Sequence, residues 1–294
     1  MSVPGIDLGT TQPMKNHPIV RACWSAVNIL LIVSVVAALY SVGWEFSTRS
    51  YLKGFSDAIV PASVNPEQKV EAILQWMAHG PARRNAVDTG GMASRNPEDT
   101  LNIQRLLEVC GTATNAFLNL AQSSGLNARR LLLLDQYGSS KHVVAEVLIG
   151  DTWIVVDPSY HFILRHPDGH FATRAELVDT AIFRVATQSI PNYPSTYTYE
   201  NTVHVRLGRI PWIGRHLRGI FIFLWPSWEE AINWTLLVER ESFAMLVISI
   251  FILCIAVVAR FFLGWYCGDK LGIARERLRD QILRAGQVVL RGSH

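Results

Sequence analysis

Two stretches of the chain carry almost no polar positions, and they lie toward its two ends. No charged residue occurs from Ala22 to Trp44, and the run Ile29 to Val42 is nearly all apolar. None occurs from Phe243 to Ala259 either, and the apolar run resumes after Arg260 as Phe261 to Cys267. A helix needs about 20 mostly apolar residues to cross the hydrocarbon core of a bilayer. The pattern therefore predicts transmembrane helices over 22–44 and 243–267. The competing reading of the first is a cleaved signal peptide, but its apolar run exceeds the usual ~7–15 residues and no Ala-x-Ala site precedes Trp44. The competing reading of the second is a buried core helix; the Trp265-Tyr266 pair near its end suits an interfacial aromatic belt instead.

Between these runs the periodicity changes. Residues 45–64 read as a linker or a short irregular stretch. Asn65-Pro66-Glu67 marks a helix start, with Asn at the cap and Pro in the first turn. Val70, Ile73, Leu74 and Met77 then recur at helical spacing until Gly80-Pro81 ends the element. Residues 81–95 are small or polar and read as a loop. Asn96-Pro97-Glu98-Asp99 opens a second helix carrying Leu101, Ile103, Leu106 and Leu107. Cys110-Gly111-Thr112 interrupts that pattern, and Ala113, Ala116, Phe117 and Leu120 form a new helical face up to a C-cap at Gly125. Cys110 thus falls in the first turn of a helix.

Three strands are predicted next, Arg129 to Leu134, His142 to Ile149 and Thr152 to Asp157. The Gly150-Asp151 pair between the last two suits a two-residue type II′ turn. Residues 196–207 alternate as a further strand. Residues 208–228 place Trp212, Trp225 and Trp228 around an apolar run too short to span; it reads as an interfacial segment at the outer membrane surface or as a buried strand. The fold class is α+β: a Cys-bearing helix packed on an antiparallel sheet, flanked by two transmembrane helices.

Charge adds an orientation. Hydrophobic residues make up 49% of the chain, an excess that the two end segments supply. The net charge of +3 is too small to suggest a nucleic-acid partner. Lys15 and Arg21 precede the first span, while Arg260, Lys270, Arg275, Arg277, Arg279, Arg284 and Arg291 lie within or after the end of the second. The excess of Lys and Arg on one side predicts cytoplasmic termini, residues 1–21 and 268–294, and an extracytoplasmic domain over 45–242. The basic tail reads as a surface helix attracted to anionic lipid or as a solvated charged helix. The expected setting is an integral protein of a bacterial inner membrane, with the bilayer and a protein or peptide-like substrate as expected partners; further membrane-protein partners stay unspecified.

The cysteines bring in candidate chemistry. Cys23, Cys254 and Cys267 lie in or beside the spans, which leaves Cys110 alone in residues 45–242, without a partner for an intradomain disulfide. Such a thiol is either buried structure or in use. A helix N-terminus favours thiolate, the nucleophilic form. The hairpin supplies two more groups. A two-residue turn sets Ile149 opposite Thr152 and Val144 opposite Asp157, and side chains alternate faces. His142 and Asp157 then become diagonal neighbours, about 7–8 Å apart at the backbone, and a one-residue slip would separate them. Cys, His and Asp in this context meet the needs of nucleophilic catalysis.

Over residues 65–160 the sequence resembles the transglutaminase-like superfamily, related in catalytic logic to papain-like proteases. The resemblance rests on Cys110 before the helix with Ala113 and Phe117, on Gly125-Leu126-Asn127-Ala128-Arg129 leading into a strand, on His142 opening Lys141-His142-Val143-Val144-Ala145-Glu146-Val147, and on Trp153-Ile154-Val155-Val156-Asp157-Pro158-Ser159. It implies Cys110 as nucleophile, His142 as base and Asp157 as the group that orients the imidazole. Two positions depart from the family pattern: Glu108 stands where many members have Gly, and Val143 and Val144 where many have an aromatic. The implied activity is acyl transfer on an amide or peptide-like substrate through a thioester, as transglutaminase, peptidase or amidase. The alternative is a catalytically inactive transglutaminase-like scaffold in a membrane or cell-envelope assembly. Gln104 is a candidate oxyanion donor but also fits an exposed helix face, and the Cys110 N–H is the better candidate. His161, His166 and His170 near Asp168 read as a solvated loop, not a metal site, and Trp153 reads as core packing. No cofactor is expected.

Overall fold

A computed structural model describes residues 18–83, 95–205 and 234–269, together with 219, 223 and 225. The chain divides into two compact units, one of residues 1–42 and 246–294 and one of residues 43–245.

Two long helices contribute to the first unit: α1, Pro18–Ile59, and the last described helix, Glu241–Asp269. Both are long and apolar enough to cross a membrane. Only 6% and 17% of their most apolar windows is buried. Large apolar side chains such as Ile29, Val36 and Leu39 on α1 and Phe251, Val258 and Phe261 on its counterpart are exposed, a surface suited to lipid. Polar groups within this unit pair with each other. Ser41 and Ser249 share a hydrogen bond of 3.3 Å. Arg260, the one charge interrupting the second apolar run, donates to Asn28 Oδ1 at 2.8 Å and lies over the Trp24 ring. Interhelical pairs of this kind hold membrane helices together.

At 1.5 Å per residue the 42 residues of α1 reach about 60 Å, roughly twice a hydrocarbon core. The helix runs on through Ile59, so the expected linker over 45–64 is in fact largely helical. The charges that mark the end of the apolar run form i,i+4 pairs, Glu45 with Arg49 and Lys53 with Asp57. Leu52, Phe55 and Ile59 give this part an apolar stripe that joins the core of the second unit.

In that unit α2, Pro66–His79, begins at a capping box in which Asn65 Oδ1 accepts from the Gln68 N–H and Gln68 Oε1 accepts from the Asn65 N–H. The expected second helix is two short ones, α3 (Pro97–Asn102) and α4 (Gln104–Glu108), broken at Ile103, which is extended at φ −113° and buried. Then α5 spans Cys110–Ser123 and ends in a Schellman motif: Gly125 is at φ 82°, and Leu126 N–H reaches Ala121 O while Gly125 N–H reaches Gln122 O.

Strands β1 (Ala128–Leu134), β2 (Ser140–Ile149), β3 (Thr152–Asp157), β4 (Phe162–Ile163) and β5 (Thr202–Val203) form one antiparallel sheet in the order β4-β3-β2-β1-β5. The alternating stretch 196–207 yields only the two residues of β5. Ala128, Ala145, Val147, Ile154 and Val156 face a core shared with α2, α5 and the end of α1. Leu131, Leu133, Val144 and Val155 face a second core with Phe183 of α6 (Thr180–Thr187) and Tyr199. Trp153 is half-buried under the Arg129 guanidinium, whose Nε donates to buried Glu146. The expected interfacial segment 208–228 lies outside the described residues except for 219, 223 and 225, as do residues 84–94 of the expected loop and 270–294 of the basic tail.

Two closing helices, α7 (Thr235–Glu239) and α8 (Glu241–Asp269), frame a buried polar cluster of the second unit. Arg240 donates to Glu45 Oε1 at 3.1 Å and to Asn119 Oδ1 at 3.1 Å, and Ser242 donates to Glu45 Oε2 at 2.7 Å. Glu239 accepts from Arg130 at 2.5 Å and from Asn115 at 3.1 Å. Removing one partner of a buried pair leaves an uncompensated charge, at a cost of about 3–5 kcal/mol. Glu45→Ala should lose that much in denaturant titration of the full chain in detergent. Arg49→Ala, whose side chain is 58% exposed, should lose about 1 kcal/mol or less although it bonds the same carboxylate.

Candidate active site

Cys110 is the first residue of α5, preceded by an extended Val109. The first N–H groups of a helix have no partner within it, and they aim partial positive charge at whatever sits there. Thr114, one turn on and on the same helix face, donates from Oγ1 to Val143 O at 3.0 Å. This bond fixes the start of α5 beside the residue that follows His142. The thiol is half-buried and forms no disulfide.

His142 and Asp157 come from the hairpin. Its register sets Ile149 opposite Thr152 and Ala145 opposite Val156, and Gly150 takes φ 60° at the turn. Both side chains therefore leave the same face of the sheet. They meet: His142 Nε2 and Asp157 Oδ2 are 2.6 Å apart, with both residues buried. Asp157 is saturated with donors. Ser159 supplies its N–H at 3.2 Å and its hydroxyl at 2.8 Å to Oδ1, and the Tyr193 hydroxyl donates to Oδ2 at 2.8 Å.

The imidazole is enclosed by aromatic rings. Tyr197 stacks on it at 4.3 Å and 9°, while Tyr193 and Tyr160 stand edge-on at 6.3 and 6.1 Å. Burial pushes His142 down, but the hydrogen bond with Asp157, together with the charge of Asp157 and the nearby Cys110 sulfur, outweighs it and carries its pKa up to about 9. The same imidazole is the main cause holding the Cys110 thiol below its ordinary value, against burial, with help from the Val143 and Gly111 N–H groups. Nε2 is engaged by Asp157, and Nδ1 is buried with no hydrogen bond completed. Of the two ring nitrogens, Nδ1 is therefore the one that Asp157 does not hold.

Neither Tyr193 nor Tyr197 stood out in the sequence, since both lie in the irregular segment after α6. The only signal was the clustering of Tyr193, Tyr197 and Tyr199 within seven residues. Gln104 is committed elsewhere: its Oε1 accepts from Arg83 at 3.2 Å and its Nε2 donates to Glu108 at 3.4 Å. His161 stands apart from His166 and His170, in a left-handed conformation at φ 56°, with burial pushing its pKa down.

Coupling of this kind has a signature in reactivity. Iodoacetamide should alkylate Cys110 at a rate that stays high below pH 7, where a free thiol of pKa about 8.5 is almost wholly protonated. In His142→Ala the rate should fall in that range and recover only at alkaline pH; Tyr197→Leu should shift it less. A wild-type thiol that resists alkylation until the chain unfolds would mark a buried structural residue.

The model of the transglutaminase-like superfamily matches residues 53–158. Neither the curated proteins nor the solved structures gave a match. The matched segment contains Cys110, His142 and Asp157 and the elements that carry them, from the inner end of α1 to the close of β3. Residues 53–158 thus make up a transglutaminase-like domain, in a chain with two helices long and apolar enough to cross a membrane.

Proposed function

We propose that the chain is a membrane-anchored cysteine acyl-transfer enzyme acting on an amide or peptide-like substrate. The observation that carries this reading is the 2.6 Å His142–Asp157 contact beside a thiol whose acidity His142 raises. Asp157 holds Nε2, so Nδ1 exchanges the proton with sulfur. The Cys110 thiolate attacks the substrate carbonyl carbon, and the oxygen gains the negative charge. The Cys110 N–H, at the head of α5, is the backbone donor assigned to it in this reading. Nδ1–H then protonates the leaving amine, the C–N bond breaks, and a thioester remains. An incoming amine or water loses its proton to Nδ1 and attacks the thioester, and sulfur leaves as thiolate. Water gives hydrolysis; an amine gives a cross-link.

The pH dependence follows from the two shifts. Activity needs thiolate and imidazolium together. It should rise through a Cys110 value below the usual thiol range, hold through neutral pH, and fall as His142 loses its proton near 9. The assay is incorporation of a fluorescent primary amine into a glutamine-rich protein, with ammonia release measured in parallel, on the full chain in detergent. Cys110→Ala should abolish both signals, and Asp157→Asn should lower kcat by about 10²–10⁴-fold with substrate binding largely kept. A wild-type chain inert toward amides, amines and iodoacetamide alike would favour the scaffold instead.

The same proposal places residues 45–242 outside the membrane and both termini in the cytoplasm, on the strength of the Lys and Arg residues flanking the two apolar runs. Protease added to sealed, correctly oriented cells should cut within 45–242 and spare the tail after Lys270. Cleavage of the tail with a protected central domain would reverse the orientation.

A further inference from the structure

A second group of reactive side chains lies on the turn that follows β4. Arg165 and Phe171 form a bridge, and the chain between them folds back through Pro167, Asp168 and Gly169, with Gly169 at φ 94°. His166 N–H reaches His170 O at 2.7 Å, so the two histidines face each other across the turn, with rings stacked at 4.4 Å and 17°. One donor atom from each of His166, Asp168 and His170 lies within 4.8 Å of the others.

We propose that His166, Asp168 and His170 bind one divalent transition-metal ion of the zinc class. Three separate observations carry this. The first is proximity around one oxygen, from which a modest tilt of the two stacked rings would bring both Nδ1 lone pairs onto one ion. Nδ1 of both histidines approaches the same Asp168 oxygen, His166 at 3.4 Å and His170 in direct contact. A tetrahedral ion with bonds of about 2.0–2.2 Å holds its ligand atoms roughly 3.3–3.5 Å apart. The His166–Asp168 separation is already such an edge, and an ion would replace the Asp168–His170 contact with two metal bonds.

The second is an orphan. His166 Nδ1 is buried and completes no hydrogen bond, although a carboxylate oxygen stands 3.4 Å away. A buried polar atom left unpaired costs about 1–3 kcal/mol. A metal bond satisfies it, and nothing else described near it does.

The third is the support behind the cluster. The ring nitrogen of His170 not used toward Asp168, Nε2, lies 3.4 Å from Glu176 Oε1. Glu176 is itself pinned, its Oε2 accepting the Thr173 N–H at 2.8 Å and the Thr173 hydroxyl at 2.9 Å. A carboxylate behind a ligating imidazole is the usual outer partner of a metal-bound histidine; it fixes the tautomer and the ring orientation. Arg165, which donates to Gly169 O on the same turn, is balanced by Glu67 at 2.8 Å and Glu71 at 3.5 Å.

Two imidazoles and one carboxylate select the metal class. Imidazole suits Zn²⁺ and its neighbours, whereas Ca²⁺ and Mg²⁺ require oxygen ligands. Asp168 and His170 are exposed, so the fourth position opens to solvent.

The test uses the untagged full chain in detergent, stripped with chelator, in a Cys110→Ala background so that no active-site thiol competes. Zn²⁺ is titrated against a chromophoric chelator. One equivalent should bind, and the His166→Ala/His170→Ala variant should lose it. Glu176→Gln should weaken binding by about 10–100-fold. Ca²⁺ and Mg²⁺ should not displace Zn²⁺. Equal binding by the double variant, or no stoichiometric binding by the parent, overturns the site. X-ray absorption on the Zn²⁺-loaded parent settles the matter if the double variant fails to fold: two imidazoles in the coordination shell support the site, and fewer overturn it.

Discussion

A helix buried on every side is the constraint on which the rest of this domain depends. Residues Thr112 to Ala121 of α5 are all buried. Apolar burial alone would let such a helix slide or rotate by small amounts, since cores tolerate repacking. Its polar residues forbid that. Thr112 bonds the Leu106 and Val109 carbonyls, Thr114 the Val143 carbonyl, Asn115 the Glu239 side chain, and Asn119 accepts from Arg240. Each bond broken inside the core would cost about 1–3 kcal/mol. The setting of α5 is therefore fixed in rotation and translation, and the first residue of α5 is Cys110.

A second, independent constraint fixes the other two groups. A two-residue turn locks the β2–β3 register, and alternation then decides which face His142 and Asp157 share. The Thr114 bond to Val143 joins the two constraints one residue from His142. Three side chains from three elements are thereby positioned without any of them lying on a long loop, which is the arrangement that precise chemistry requires.

These two constraints also explain what could be read in advance. Local signals were strong where one residue type enforces a backbone state: Asn65 at a cap, Gly125 at a left-handed C-cap, Gly150 in a tight turn. The hairpin register, and with it the His142–Asp157 pairing geometry, follows from such signals alone. What escaped were decisions made by tertiary contact. The helix break at Ile103 has no Gly or Pro to announce it, and Ile103 is extended because that buries its side chain. The extension of α1 past Trp44 was hidden by charges that resemble a boundary, yet Glu45 is buried with Arg240, far away in sequence. Tyr193 and Tyr197 reach the site from an irregular segment, although the alternation over 196–207 reads as a strand; only Thr202–Val203 pairs as one. The second histidine group was visible as residues but not as geometry, because only the fold of the turn stacks His166 on His170.

Burial is graded across the three groups in a way that bears on their chemistry. Asp157 and His142 are 0% and 2% exposed, while Cys110 is half-buried at the helix head. Desolvation acts against charge on both the imidazole and the thiol, and on each it is overcome by the partners. For His142 the balance moves the pKa from 6.5 to about 9, which at 1.36 kcal/mol per unit favours the protonated ring by about 3 kcal/mol. The sign has a consequence for the whole domain. A folded-state value above the unfolded one means that protonated His142 stabilises the fold fully below about pH 6.5, and that this contribution is lost as pH rises through about 9. Cys110 acts in the opposite sense, since its lowered value favours the fold once the thiolate forms. The lowered thiol and the raised imidazole shift in the directions that favour an ionised pair, and of the two groups Cys110 is the more exposed. The tyrosine rings matter for the same reason. Tyr197 covers one face of the imidazole and Tyr193 donates to the carboxylate, and in the low-dielectric setting of this buried pair their hydrogen bond is electrostatically stronger than it would be in water.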